Sequence, residues 1–345
     1  GPAGPPTEPL APQGPIVPPA ARAPGLFRFA LEGRQAPALF VGGWLGTIVG
    51  SAVALVGLLS SPSLATAILL VAGLALLSVG LVLLGGSQAI ERRAAGEAYA
   101  GPSPVLLFAA IVAITLVVAA VVGTILDTLG VSLDQDRPLG DLISVALQGA
   151  VFVGVVRLLV VGPGATTWAE MGLTADPRRI ANGLLNGAVF ALPVIVLTAL
   201  VAAVLVPLIG ATPPSPLPPT GTASGLGLHL LAGAGIAPFS EEVVFRGAAL
   251  TAWLRTVGPR GAILRSAMLF AAAHALGISG TSFGDAAGLA LVASLARLPV
   301  AIALGWIYVR TGTIWASIGL HAAFNAVLIV VSEAGLAAPT AMFWG

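Results

Sequence analysis

The sequence predicts an all-α polytopic transmembrane bundle of about nine helices, with the N-terminus cytoplasmic and the C-terminus outside. Three observations carry that prediction. Hydrophobic residues make up 57% of the 345 residues and charged residues only 8%, with a mean hydropathy of +1.01. A soluble domain is about a quarter charged, so a chain this apolar cannot cover its own surface in water. Apolar runs of roughly 20 residues, enough to cross a hydrocarbon core of about 30 Å, recur along the chain. They are continuous rather than alternating, which selects helices over a membrane barrel. Arginine is also unevenly placed. Twelve Arg fall in alternate loops on one side (Arg22, Arg28, Arg34, Arg92, Arg93, Arg157, Arg178, Arg179, Arg255, Arg260, Arg265 and Arg310), against Arg137 alone on the other. Positive loops mark the cytoplasmic face.

In chain order, residues 1–35 are rich in Pro, Ala and Gly and read as a disordered tail. The opening Gly1-Pro2, without a Met, is expected of a trimmed or partial sequence. Spans are predicted near 36–60, 63–86, 103–126, 140–161, 181–209, 226–256, 261–279, 284–310 and 313–333. In the first, Gly42, Gly46 and Gly50 form a small-residue ridge suited to close helix packing. Asp127, Asp134, Asp136 and Asp141 form an acidic outer loop, read as solvated, with a weak cation site as the alternative. The Pro-rich stretch 211–225 (Pro213, Pro214, Pro216, Pro218, Pro219) is a second outer loop. These divisions give an N-terminal transmembrane region of about four helices over 36–161 with no assigned role, a core over 162–335 and a short tail over 336–345.

Composition also excludes chemistry. There is no Cys, hence no disulfide, thiol nucleophile or Cys-ligated metal. Every basic residue is Arg, which removes Lys bases and Schiff bases, and a net charge of +1 argues against a nucleic-acid partner. An Arg-, Ala-, Gly- and Pro-rich, Lys-free composition is that of a GC-rich bacterial genome, and the expected location is a bacterial plasma membrane, multi-pass.

Ionisable residues inside spans cost about 2.5–3.5 kcal/mol each on insertion scales, and here they cluster in the last four spans. Glu241, Glu242 and Arg246 lie in the sixth, His274 in the seventh, Arg297 in the eighth, and His321 with Asn325 in the ninth. Glu242 and Arg246 share a helix face and can pair. Glu241 points about 100° away, free to act as a general base or to ligate a metal; the alternative is a salt-bridge cluster that only fixes helix packing. His274 follows Ala271-Ala272-Ala273, small neighbours that leave room around an imidazole. His321 and Asn325, four apart, can stabilise an oxyanion, or the His can bind a metal; alternatively they glue two helices. His229 reads as interfacial. With no Cys, and with His229 eleven residues from Ser240 on its helix and so out of its reach, water-mediated hydrolysis fits the set better than a covalent nucleophile.

Glu241-Glu242-x-x-x-Arg246, Phe270-x-x-x-His274 and His321-x-x-x-Asn325, in that order on separate spans, resemble the three motifs of the CPBP family, the CAAX-type and bacteriocin-processing (Abi) intramembrane peptidases. The resemblance covers roughly residues 165–335 and extends, more weakly, to Trp168-Ala169-Glu170-Met171-Gly172-Leu173. It implies an intramembrane endopeptidase, CAAX prenyl protease-like, acting on a peptide or membrane-protein substrate. It further implies that Glu241 activates water with His274 as base or ligand, that Glu242 supports them and pairs with Arg246, and that His321 and Asn325 hold the oxyanion. A metalloprotease version, with Zn2+ on Glu241, His274 and His321, is implied as the alternative mechanism. Arg297 lies outside the motifs and is expected to face the cavity and to pair with a carboxylate there or with a substrate's C-terminal carboxylate. The rival readings are a non-catalytic membrane scaffold or bacteriocin-immunity factor of the same fold, and a transporter.

Overall fold

The computed structural model describes residues 22–130, 137–213, 215 and 217–335, and among them the regular structure is helical throughout. The helices are α1 (Pro37–Leu59), α2 (Leu64–Ala94), α3 (Pro104–Thr128), α4 (Arg137–Val161), α5 (Pro177–Ala188), α6 (Ala191–Ile209), α7 (Ala223–Ala273), α8 (Phe283–Thr311) and α9 (Ile314–Glu333). Their starts follow the sequence: Ser63, Ser103, Asp176, Thr222, Ser282 and Thr313 each cap a helix by accepting a backbone N–H, and Pro104 and Pro177 open their first turns.

Among the described residues, eight helical stretches are long and apolar enough to cross a membrane, α5 and α6 counting as one. The sixth expected span and most of the seventh fall in α7, a 51-residue run that ends at Ala273, short of the expected 279. Gly258 breaks it, at φ 74° and ψ 173°. Only glycine tolerates that conformation, and Pro259 then opens the second leg. Large apolar side chains on the outer faces, such as Leu192, Leu200, Val204 and Leu208 of α6, stand exposed, as lipid-facing positions do. The chain is a multi-pass integral membrane protein.

Three local expectations change. Residues 22–35 are not loose tail. Arg34 is buried, its guanidinium bound by both oxygens of Glu91 at 3.0 Å and by the carbonyls of Gly25 and Arg28, and stacked 3.3 Å from the Phe40 ring. A buried cation needs such a partner, and Glu91 at the end of α2 supplies it. The glycine ridge of α1 is Gly43, Gly46 and Gly50 rather than Gly42; a Cβ on Gly46 would lie 2.9 Å from the Gly80 Cα of α2. Asp141 belongs to α4, not to a loop, and accepts a bond at 3.2 Å from His229, which is buried. Asp134, Asp136, Pro214 and Pro216, residues 1–21 and the tail 336–345 lie outside the described residues.

The N-terminal helices are not a separate layer. α4 packs along α7, α3 touches α7 as well, and α5 and α6 close the other side against α8 and α9. The stretch Trp168–Leu173 lies over the start of α9: Met171 is fully buried, and Gly172, at φ +75°, sits so close to Ile314 that a Cβ would come within 2.8 Å of its nitrogen.

Candidate active site

The middle of α7 departs from α-helical winding twice. Leu231–Ile236 and Val243–Leu250 are π-helical, and Ala237–Glu242 between them is α-helical. π-segments loosen the regular backbone ladder and often mark functional sites. In a membrane every loosened carbonyl needs a partner, and side chains supply several. Asn325 donates through Nδ2 to the Gly233 carbonyl at 2.7 Å, Ser266 donates to Phe245 O at 2.9 Å, and Thr251 donates to Arg246 O at 3.2 Å. The two glutamates therefore sit on a short rigid turn between two segments that α9 and the second leg of α7 hold in place.

Glu242 and Arg246 are fully buried. The Glu242 Oε1 accepts from Arg246 Nη1 and from His321 Nδ1, both at 2.9 Å, and Arg246 Nη2 donates to the Ala301 carbonyl at 3.0 Å. A carboxylate cannot donate, so His321 carries its proton on Nδ1 and turns Nε2 toward Glu241. The Glu241 Oε2 lies 3.9 Å from that Nε2, too far for a direct bond, and has no hydrogen-bond partner among the described residues.

His274 ends α7 as its C-cap rather than sitting inside a helix, because the chain turns at once through Gly277, at φ +84°. Its Nδ1 meets the Phe270 carbonyl at 2.8 Å. A carbonyl only accepts, so that nitrogen is N–H and the neutral ring offers a bare Nε2. Phe270 is the hub: its ring lies 4.5 Å from the His274 ring, 5.7 Å edge-on from His321 and 4.6 Å from the Arg246 guanidinium. Ser240 bonds back to Ile236 O and Ala237 O, each at 3.1 Å, which leaves it unsuited to act as a nucleophile.

A cavity of ≈650 Å³ collects these groups. Glu241, His274, Arg297, His321 and Asn325 all line it, whereas Glu242 and Arg246 support it from behind. Arg297 donates from Nη1 to the Ala293 carbonyl at 2.8 Å and is close enough to Glu241 for the two charges to interact. The sequence reading missed the opposite wall, where Thr115 of α3 and Asp141, Ser144 and Gln148 of α4 line the same space. An uncharged amide such as Gln148 inside an apolar span was the available signal.

Residues 223–327 match the family model described as Rce1-like, type II CAAX prenyl endopeptidase Rce1-like. That segment is similar to the Rce1-like family. It contains all seven site residues expected from the motifs and from Arg297, and it is consistent with the CPBP resemblance. No curated protein and no solved structure matches the chain. The wall built by α3 and α4 lies outside the Rce1-like segment. The donor chemistry of Glu241, His274 and His321 suits zinc, but no three His, Asp or Glu side chains come together as a metal-holding group among the described residues. These residues do not fit a metal as arranged.

Proposed function

We propose that the chain is an intramembrane endopeptidase, CAAX prenyl protease-like, that hydrolyses a peptide bond of a membrane-associated protein or peptide with water activated by Glu241. The observation that carries this reading is the buried, unpartnered Oε2 of Glu241 in the cavity, facing His321 Nε2 at 3.9 Å. A gap of that size is one that a single water, set to one side, bridges with two ordinary hydrogen bonds. Similarity of residues 223–327 to the type II CAAX prenyl endopeptidases supports the same reading.

In this mechanism Glu241 takes a proton from the water as its oxygen attacks the scissile carbonyl, and the neutral Nε2 of His274 serves as a second acceptor. The carbonyl becomes a tetrahedral oxyanion. Asn325 has one amide N–H left after its bond to Gly233, and His321, when protonated, has an Nε2–H; both are placed to stabilise that charge. Collapse breaks the C–N bond, and the proton held by Glu241 passes to the departing amine. Glu242 orients His321 and neutralises Arg246. Arg297 balances Glu241 and offers a cation to a carboxylate in the cavity.

The test is a panel of quenched-fluorescence decapeptides, with and without a C-terminal prenyl-cysteine segment, offered to the purified protein in detergent, alongside elemental analysis and Glu241→Gln. Cleavage by the wild type that is lost in Glu241→Gln, with no metal bound in stoichiometric amount, is the expected result. A protein that cuts nothing, and whose cellular phenotype survives Glu241→Gln, is a scaffold.

A further inference from the structure

Gln148 of α4 is a carboxamide in the middle of a membrane span, lining the cavity, and has no hydrogen-bond partner among the described residues. Its side chain stands exposed to that cavity, so both amide groups are open to a ligand there. Gly149 beside it explains its position. A Cβ there would lie 3.2 Å from both Cβ and Oγ of Ser240, so α4 and α7 are in close contact one residue before Glu241. Gln148 on one helix and Glu241 on the other thus flank the same contact and face the same space. Beyond Gln148, a narrower cleft of ≈210 Å³ runs between α3 and α4, and Thr115, Ser144 and Gln148 line both spaces. Among the described residues, Thr115 Oγ1 is also buried without a partner.

We infer that Gln148 is a substrate-positioning residue that hydrogen-bonds the backbone of an extended peptide segment next to the scissile bond. This rests on the peptidase reading above and deepens it. An extended chain entering a site surrounded by lipid brings one N–H and one C=O per residue, and neither hydrocarbon nor the charged groups around Glu241 can satisfy those away from the cleaved bond. Glutamine carries a donor and an acceptor side by side in one plane, the complement of a peptide unit. Its place at the junction of the cavity and the α3–α4 cleft lets the chain run from the water-activating carboxylate toward that cleft. The N-terminal helices, outside the Rce1-like segment, thereby contribute to substrate recognition.

The experiment uses the full chain and the best-cleaved decapeptide from the panel, with each backbone amide replaced in turn by an ester, which removes one N–H. With the wild type, one ester position is expected to raise KM about three- to tenfold, the worth of one uncharged hydrogen bond. Gln148→Leu should raise KM for the all-amide peptide by the same factor, leave kcat nearly unchanged, and abolish the penalty of that one ester. Unaltered KM in Gln148→Leu, or equal ester penalties in both proteins, overturns the inference while the peptidase reading stands. If Gln148→Leu fails to fold, the wild-type ester scan decides alone, and no sensitive position overturns it. A wild type that cleaves no peptide overturns both.

Discussion

At the scale of single residues, Glu241 and Glu242 are neighbours whose environments diverge because a helix turns them about 100° apart. Glu242 faces inward and meets a guanidinium and an imidazole at 2.9 Å, whereas Glu241 faces the cavity. Substitutions should separate the two roles. Glu241→Gln keeps the packing and removes the proton acceptor, so thermal unfolding in detergent should be unchanged while peptide hydrolysis falls by about 10²–10⁴, the usual worth of a general base. Arg246→Ala should do the reverse of the first part. It strands a fully buried carboxylate, which costs about 3–5 kcal/mol, and denaturant titration in micelles should show that loss before any assay of activity. Equal stability of Arg246→Ala and wild type would mean that the Glu242–Arg246 pair is not a structural support.

At the scale of elements, α9 is positioned by contacts that leave no room for a side chain. Gly187 of α5 faces the Ala316 carbonyl so closely that any Cβ must displace it, and Gly319 faces the Leu184 carbonyl in the same way. His321 follows two residues after Gly319 on α9. Gly187→Val should therefore push α9 outward and draw the His321 ring away from Glu241. Because a misplacement near 1 Å can cost about a hundredfold, kcat/KM should fall by that order while the protein remains inserted and helical by circular dichroism; an activity within twofold of wild type would refute the linkage. The helices themselves were legible, because continuous apolar runs and Ser, Thr, Asp and Pro at their starts have local causes. The Glu242–Arg246 pair was legible for the same reason, at four residues on one helix. The π-segments on either side of the glutamates, and the Arg34–Glu91 and Asp141–His229 pairs, were not. Each depends on which distant element packs alongside, and hydropathy carries no information about that.

At the scale of the whole molecule, the two halves of the chain share one cavity: Glu241, His274, Arg297 and His321 come from α7, α8 and α9, and a second wall of Thr115, Asp141, Ser144 and Gln148 comes from α3 and α4. What joins the halves at the end opposite the Asp141–His229 pair is the segment between α4 and α5. Arg255 of α7 donates to the Ala165 carbonyl at 2.9 Å and to Glu170 Oε1 at 3.0 Å, and Glu170 Oε2 accepts from the Thr167 backbone N–H at 2.7 Å. The Thr167 backbone bond and then its hydroxyl hold the Glu170 carboxyl below its ordinary value of 4.5, with Thr166 and Arg255 adding to the effect against a small opposing burial. A carboxylate whose folded value is depressed contributes stability that is fully present above its unfolded value and is lost as pH falls through the folded one. The latch should thus be intact from neutrality down to about pH 5 and weaken only below the ordinary value of 4.5. Since Glu170 is half exposed, solvent screens the contribution and its size should be small. Thermal unfolding of wild type and Glu170→Gln in detergent should differ by a constant margin between pH 5 and 7 and converge as the medium is acidified further. A difference that instead grows on acidification would reverse the sign and show that the segment is held by its backbone and by Met171 rather than by this carboxylate.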